Sequence, residues 1–207
     1  MALIMLLVAG AAMAHPHGWV DYRVAVVFDD SSRVVAFKQY WLLDPFQSLT
    51  LTEGLGSVEG TTLQQGLDAV GQEIAANLNT NGNLTHLFSG ERELKVGDIE
   101  HYTTRLDNDR VEFAFELPLD EPLPPTEPLR WQIYDPTYYI EFLHSDRSDT
   151  PVVLENAPAG CKSEIIAADP DPAKVAAAAA LDADEQPEDE KIGRFFAETG
   201  VMTCPAP

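Results

Sequence analysis

Basic residues are scarce in this chain of 207 residues: 13 lysines and arginines stand against 34 aspartates and glutamates, giving a formal net charge of -21 at pH 7. Proteins that bind nucleic acids or anionic membrane surfaces use clusters of basic side chains to displace counterions from phosphates. The shortage therefore argues against both kinds of partner and indicates an acidic, well-hydrated surface.

Motifs of the common enzyme classes are absent as well. The sequence has no glycine-rich phosphate loop, no G-x-S-x-G nucleophile motif and no H-E-x-x-H zinc motif. Nucleotide-dependent reactions and the common hydrolase chemistries therefore have no support. Beyond residue 14 no hydrophobic run is long enough to cross a bilayer, which predicts a mature product that does not insert into the membrane.

Cysteine is rare, and the chain contains only Cys161 and Cys204. An even pair, far apart in sequence and without a C-x-x-C motif, is not the pattern of a zinc knuckle. We predict that the two form one disulfide bond, which favours an oxidising compartment and leaves no free thiol to act as a nucleophile.

The first 14 residues are apolar and end in Ala12-Met13-Ala14, a small-residue site of the kind that signal peptidases cut. This segment contains no lysine or arginine, although secretory leaders normally begin with positive charge, so we infer that translation starts further upstream. The alternative is a cytosolic protein with an apolar N-terminus. Cleavage after Ala14 would make His15 the first residue of a periplasmic protein in a Gram-negative bacterium.

Alternating apolar residues predict a mainly β fold of the α+β kind. Residues 19–44 indicate a hairpin, because two strand-like runs flank the turn sequence Asp29-Asp30-Ser31-Ser32. Short strands joined by turns favour an antiparallel β-sandwich-like core over a parallel sheet. Further strand signals lie at 84–88, 99–106, 111–117, 129–134, 138–144, 152–155 and 163–167, with a proline-rich separator at 118–128.

Two regions depart from this strand pattern. Residues 46–80 place apolar side chains at helical spacing and predict a helical insertion. The tail is acidic and rich in alanine, with Asp171-Pro172 as a helix start and a second short helix at 191–199. We therefore predict a signal peptide at 1–14, a β-rich domain at 15–170 and a helical appendage at 171–207 that the disulfide ties back.

The segment His15-Pro16-His17 carries most of the candidate chemistry. A free α-amine and an imidazole on His15, with a second imidazole on His17, could converge on one transition metal ion. Pro16 has no N–H to lose, which excludes the copper or nickel motif that uses deprotonated backbone nitrogens. Imidazole suits zinc, copper and nickel, whereas calcium and magnesium are disfavoured. The alternative is a solvated terminus whose histidines bind nothing.

A second candidate cluster is Tyr134-Asp135-Pro136-Thr137-Tyr138-Tyr139-Ile140-Glu141-Phe142, followed by His144. We consider Asp135 as a metal ligand, or as the carboxylate that fixes the tautomer of a ligating histidine, with Glu141 and His144 in reserve. The alternative is ordinary packing of strand tyrosines around an Asp-Pro turn. Two further histidines, at positions 86 and 101, lack acidic or cysteine partners at ligand spacing, so we expect them to be structural.

Together these motifs resemble a family of small exported proteins of unknown function. Its members share a leader that ends just before H-P-H-x-W/F, a central Y-D-P-T-Y-Y, and A-P-A-G-C followed by an alanine-rich helix and a terminal Thr-Cys. The resemblance covers essentially the whole mature chain. Its anchors here are His15, Pro16, His17, Trp19, Tyr134, Asp135, Pro136, Thr137, Tyr138, Tyr139, the segment 157–161 and Cys204.

The resemblance implies a periplasmic component of an ABC-type transport system that works with an integral-membrane permease of the nickel/cobalt (NicO) type. At least one such pair is associated with zinc uptake. Many relatives carry an acidic, EF-hand-like D-x-D-G-D-G stretch in the helical insertion, but residues 52–60 here lack those oxygen ligands. Calcium binding is therefore not expected of this chain.

The combined expectation is a periplasmic accessory protein without catalysis of its own. It would bind a divalent transition metal through His15 and His17, with zinc expected first and nickel, cobalt or copper as alternatives. A different class stays open: an oxidative copper enzyme of the histidine-brace type, in which His15 supplies amine and imidazole and a distant histidine such as His144 completes the site. A third hypothesis is an assembly factor that never binds metal.

Overall fold

The computed structural model describes residues 15–55, 60–181 and 187–205, and the predicted signal peptide at 1–14 lies outside them. Two β-sheets and their connecting helices make up this part of the chain. In chain order the elements are β1 Gly18–Phe28, β2 Val34–Leu43, α1 Pro45–Leu55, α2 Leu63–Asn81, β3 Thr85–Ser89, β4 Arg92–Glu93, β5 Tyr102–Asp107, β6 Arg110–Leu123, β7 Leu129–Ile133, β8 Ile140–His144, β9 Val152–Glu155, β10 Lys162–Ile166, α3 Pro172–Ala179, a 3-10 helix Ile192–Phe195 and β11 Thr199–Thr203.

The first sheet has the strand order β5-β6-β2-β1-β8, and β9 pairs with β1 beyond β8. The predicted hairpin of β1 and β2 is confirmed. Asp29 builds its turn, because one carboxylate oxygen accepts the N–H groups of Ser31 and Arg33, each at 2.9 Å, and the other binds the Arg33 guanidinium. This local chemistry is the reason the chain reverses direction here.

The second sheet has the order β10-β11-β7-β3-β4, and all of its pairings are antiparallel. It packs against the first sheet through a shared apolar core, in which the rings of Phe37 and Trp131 lie 5.5 Å apart between centroids. Both of these side chains are fully buried. The prediction of a mainly β, sandwich-like fold is therefore confirmed.

The helical insertion consists of α1 and α2. Thr62 and Gln65 form a capping box at the start of α2, in which each side chain accepts the backbone N–H of the other residue. Gly82 ends the helix in the left-handed conformation, with φ of 90°, where a side chain would be strained. None of the helices in the described residues has the length and hydrophobicity that a membrane crossing requires.

Two pairings in the first sheet are parallel, which the sequence does not indicate. β1 pairs in parallel with β8, so that Trp19 lies opposite Glu141 and Tyr22 lies opposite His144. The second half of β1 pairs in parallel with β9. A parallel pairing needs no tight turn between its strands, so it leaves no local sequence signal.

Two further features differ from the predicted elements. β6 runs through Pro118 into the predicted proline-rich separator, next to a register irregularity between Val34 and Ala36. A proline lacks the ladder N–H, and such irregular positions tolerate it. Near the C-terminus, residues 199–203 form β11 between β7 and β10 rather than part of a helical appendage, because Met202 belongs to the shared core. The division of the chain at residue 171 stays a prediction.

The predicted disulfide is confirmed: Cys161 and Cys204 are joined, across a sequence separation of 43 residues. Cys161 directly precedes β10 and Cys204 directly follows β11, and these two strands are paired. The bond therefore closes the end of a two-stranded ladder.

Candidate functional site

The two clusters that the sequence keeps apart meet at the start of β1. The backbone N–H of His17 donates to the carbonyl of Tyr139 at 2.8 Å, and the two rings stack with centroids 4.6 Å apart. The ring of His15 lies 5.0 Å from the ring of His17 and 6.0 Å from that of Tyr139. We call His15, His17 and Tyr139 the N-terminal site.

The two histidines of this site differ in exposure. His15 is only 3% exposed, whereas His17 is exposed. Within the described residues nothing donates to or accepts from Nδ1 of His15, although this atom is buried. A buried polar atom without a partner is costly, so an unpaired imidazole nitrogen is a natural position for a ligand.

An open pocket of about 260 Å³ adjoins the site. The register of β1 and β8 places alternate residues of both strands on the outer face of the first sheet. Trp19 and Tyr139 expose 41% and 44% of their surface. The residues lining the pocket are Pro16, His17, Gly18, Trp19, Asp21, Glu141 and Leu143.

Asp135 shapes the loop before β8. Its Oδ1 accepts the N–H and the hydroxyl of Thr137 at 2.9 and 3.0 Å, and its Oδ2 accepts the N–H of Ile140 at 3.1 Å. Both oxygens are therefore engaged within their own turn. This geometry gives no support to the prediction of Asp135 as a metal ligand or as the partner of a histidine; it makes Asp135 the residue that sets Tyr139 beside His17.

The other two tyrosines of this loop, Tyr134 and Tyr138, are packed against neighbouring rings. Tyr138 has a φ of 60°, its ring stacks on Phe196 at 4.0 Å, and its hydroxyl donates to Glu141 at 3.1 Å. Burial, together with the charge of Glu141, raises the pKa of Tyr138. Tyr134 stacks on His86 at 4.6 Å, and burial raises the pKa of Tyr134. Glu141 lines the pocket next to the N-terminal site, and its carboxylate accepts the hydrogen bond from Tyr138.

His144 lies away from the N-terminal site, in the core. Its register partner Tyr22 is five residues beyond His17 along β1, which is roughly 16 Å at about 3.3 Å per residue. Nε2 of His144 accepts from Trp131 at 3.2 Å, while Nδ1 lies 3.0 Å from both Tyr22 and Glu198. Both ring nitrogens are occupied, so the structure does not bring His144 together with His15. We call Tyr22, Trp131, His144 and Glu198 the His144 network.

Electrostatics inside the His144 network follow from burial. Burial raises the pKa of Tyr22 well above its ordinary value, and the nearby charge of Glu198 adds to this effect. Burial also pushes the pKa of Glu198 upward, but hydrogen bonds from the side chain and backbone of His144 outweigh it, so the pKa is lowered. Glu198 is therefore ionised at neutral pH and holds the segment before β11 against β8.

Asp44 is a residue of this region that the sequence patterns leave unnoticed. It lies between β2 and α1, and its backbone N–H donates to the carbonyl of Trp19 at 3.1 Å. The sequence Asp44-Pro45 is a typical helix start, with an N-cap followed by proline at the first helical position. That signal predicts a cap for α1, but nothing local indicates contact with the N-terminal site.

The N-terminal site thus contains two imidazoles beside the ring of Tyr139, and the imidazole of His15 has a buried nitrogen without a partner in the described residues. Among the described residues, no three side chains of the His, Cys, Asp and Glu types are gathered closely enough to enclose an ion. The residues present fit a transition metal in kind, because imidazole nitrogen is its preferred neutral ligand.

The chain is similar to a known protein family and to a distant relative. The sequence pattern of a family described as "Protein of unknown function (DUF1007)" matches residues 1–204. A protein of Haemophilus influenzae, described as "Uncharacterized protein", is 23% identical over 208 residues, covering 98% of this chain and 97% of the relative. No solved structure matches the chain.

Proposed function

Because the chain belongs to the DUF1007 family, whose function is unknown, we propose a function from its own site: a periplasmic accessory protein that binds a divalent transition metal. Zinc is the expected ion, with nickel, cobalt or copper as alternatives, and the ion is cargo rather than a catalytic cofactor. The protein would work with an integral-membrane permease of the NicO type.

The observation that carries this proposal is the unpaired nitrogen of His15. Nδ1 is buried without a partner in the described residues, and the second imidazole lies 5.0 Å away between ring centroids. A solvated, functionless terminus would instead leave His15 exposed to water.

Removal of the leader would add a third donor. Cleavage after Ala14 frees the α-amine of His15, whose pKa is ordinarily about 7.7 to 8.0, so that a metal ion readily displaces its proton. His17 contributes its imidazole from the exposed side of the site. The amine and two imidazoles form a nitrogen-rich set that favours zinc, copper or nickel over calcium or magnesium.

Export and partnership rest on other observations. The disulfide between Cys161 and Cys204 is typical of proteins in oxidising compartments, which supports the periplasm. The exposed rings of Trp19 and Tyr139 next to the histidines give a partner an apolar surface to contact. The NicO-type partner itself comes from the resemblance of the motifs.

The test is a competition titration with zinc and a chromophoric chelator, using protein whose first residue is His15. Loss of one nitrogen ligand from His15→Ala or His17→Ala should weaken zinc binding by about a hundredfold, equivalent to roughly 2.7 kcal/mol. A version with one glycine before His15 tests the amine separately, because an amide nitrogen is no donor at neutral pH.

The matched control is His86→Ala. His86 also stacks on a tyrosine, but its Nδ1 is paired with Glu93 at 2.9 Å, so its removal should leave zinc affinity unchanged. Equal affinity in all these proteins would remove the metal site and favour the assembly factor. Ascorbate-dependent peroxide turnover by the copper-loaded protein would instead favour the histidine-brace enzyme.

A further inference from the structure

Asp44 uses only one of its two carboxylate oxygens in the fold. Oδ1 accepts the N–H groups of Phe46 and Gln47 at 2.8 and 3.0 Å and so caps the first turn of α1. Oδ2 has no hydrogen-bond partner within the described residues, although Asp44 is only 2% exposed. A buried carboxylate oxygen without a proton donor or a cation is among the most costly groups that a fold can hold.

The neighbouring cation does not relieve Asp44. Arg110 lies close by, since its Nε and Nη2 donate to the carbonyls of Leu43 and Leu42. Its Nη1 donates to Asp21 at 2.6 Å, so the guanidinium charge is balanced by another carboxylate. The charge of Asp44 therefore stays without a counterion in this part of the structure.

The free oxygen faces the residue that follows His17. A Cβ placed on Gly18 would lie 2.7 Å from Oδ2 of Asp44 and 2.3 Å from the side-chain nitrogen of Gln47. Only glycine lets the carboxylate come this close to the backbone of the N-terminal site. Asp44 thus lies beside Gly18, the residue that directly follows the histidine motif.

The unpaired oxygen of Asp44 is not the sole buried side-chain atom without a partner near the start of β1. The described residues contain four such atoms, and two of them are Nδ1 of His15 and Oδ2 of Asp44. Their residues are 3% and 2% exposed. One is an imidazole nitrogen and the other a carboxylate oxygen, and both are zinc ligands that catalytic sites with two histidines and one glutamate combine.

We propose that Asp44 is a further ligand of the same metal ion, giving its Oδ2 to the site that His15 and His17 begin. This inference rests on the proposed function. The carboxylate supplies negative charge that two neutral imidazoles lack, and a dication in turn neutralises the buried oxygen. The described residues do not hold three such side chains close enough to enclose an ion. Metal binding therefore requires the His15–Gly18 segment and Asp44 to move toward each other.

The test compares Asp44→Asn with Asp171→Asn in the full chain beginning at His15. Asparagine caps a helix about as well as aspartate, so Asp171→Asn should keep the unfolding midpoint of the metal-free protein. Asp44→Asn also removes a buried, unpaired carboxylate oxygen, so it should not lower that midpoint. Asp171 is the matched control, because its side chain likewise caps a helix, α3, by accepting the N–H of Ala173 at 2.7 Å. Zinc affinity should fall tenfold to a hundredfold in Asp44→Asn alone, and the zinc-induced rise in its unfolding midpoint should shrink accordingly.

A second variant keeps the proposal testable if Asp44→Asn does not fold. Gly18→Ala keeps every proposed ligand but pushes Asp44 away, and it should weaken zinc binding by a similar factor. Wild-type affinity in both variants, while His17→Ala still loses affinity, would overturn the role of Asp44 and leave the proposed function standing. Absence of zinc binding by the wild-type protein would overturn both.

Discussion

Replacement of Glu198 by alanine should destabilise the protein strongly. One oxygen of Glu198 accepts the backbone N–H of His144 at 2.6 Å and lies 3.0 Å from Nδ1 of its ring. Because Trp131 donates to Nε2, the neutral ring carries its proton on Nδ1 and donates to the carboxylate. Alanine would leave the buried backbone N–H of His144 without this acceptor, and the Nδ1–H of its ring with only the Tyr22 hydroxyl, which lies 3.0 Å away.

The size of the effect follows from these two bonds. A hydrogen bond to a charged group contributes about 1.5–3 kcal/mol, and an abandoned buried donor costs a similar amount. The side chain of Glu198 is 21% exposed, so water reaches part of the gap. We expect Glu198→Ala to lower the free energy of unfolding by about 3–4 kcal/mol, and Glu198→Gln, which keeps one acceptor, by about half of that.

The chain contains a matched control for this experiment. Glu93 accepts from Nδ1 of His86 at 2.9 Å, the same pair of atom types, but its side chain is 58% exposed. An exposed pair contributes little, because water replaces the lost contact, so Glu93→Ala should cost less than about 1 kcal/mol. The two substitutions differ mainly in burial.

Urea unfolding at equilibrium, with the disulfide intact, measures both variants. Hydrogen bonds from His144 lower the pKa of Glu198 against the opposing effect of burial, so its contribution is complete above the unfolded-state pKa of about 4.3 and is lost as pH falls through the lower folded-state value. The difference in the free energy of unfolding between wild type and Glu198→Ala should therefore be largest at pH 7 and should narrow as the pH falls below about 4. A loss no greater than that of Glu93→Ala, or a difference independent of pH, would refute this account of the His144 network.

Two other substitutions probe the closing strands of the second sheet. In Gly200→Ala the new Cβ would lie 1.9 Å from the ring of Trp131, which is fully buried and cannot move aside, so the free energy of unfolding should drop by about 3 kcal/mol or more; an unchanged urea midpoint would contradict this packing. Denatured wild-type protein without reductant should show no free thiol, and replacing Cys161 and Cys204 by serine should cost roughly 4 kcal/mol at most from chain entropy; two titratable thiols in the wild type would contradict the bond.

Elements with local causes were predictable from the sequence. The turn at Asp29 and the capping box of Thr62 act over three or four residues, so their patterns indicate the hairpin and the insertion directly. β11 was missed because its two buried positions are Gly200, a residue that strands disfavour, and Met202, so the segment shows no alternation of large apolar side chains. The parallel pairing of β1 was missed because its partners are more than a hundred residues away.

In the candidate site, too, features with local causes were predictable from the sequence and long-range contacts were not. The sequence indicates two neighbouring imidazoles at His15 and His17, because this pair depends only on residue types two positions apart. Their contact with Tyr139 depends on the parallel register of β1 and β8, and the spare oxygen of Asp44 depends on how α1 begins beside Gly18. Asp135 has the residue type of a ligand, and the sequence does not indicate that both of its carboxylate oxygens accept hydrogen bonds within its own turn.

The pairing of β1 with β8 and β9 also dictates an order of events during synthesis. β1 leaves the ribosome early, but one of its edges stays uncovered until residues 140–155 follow, and the contact between Tyr22 and His144 spans 122 residues. Such long-range pairing slows folding, because a large loop must close before any of its contacts form. An apolar strand with an open edge is prone to pair with other chains in the meantime. This edge of β1 therefore stays without its partner strands until about three quarters of the chain has been made.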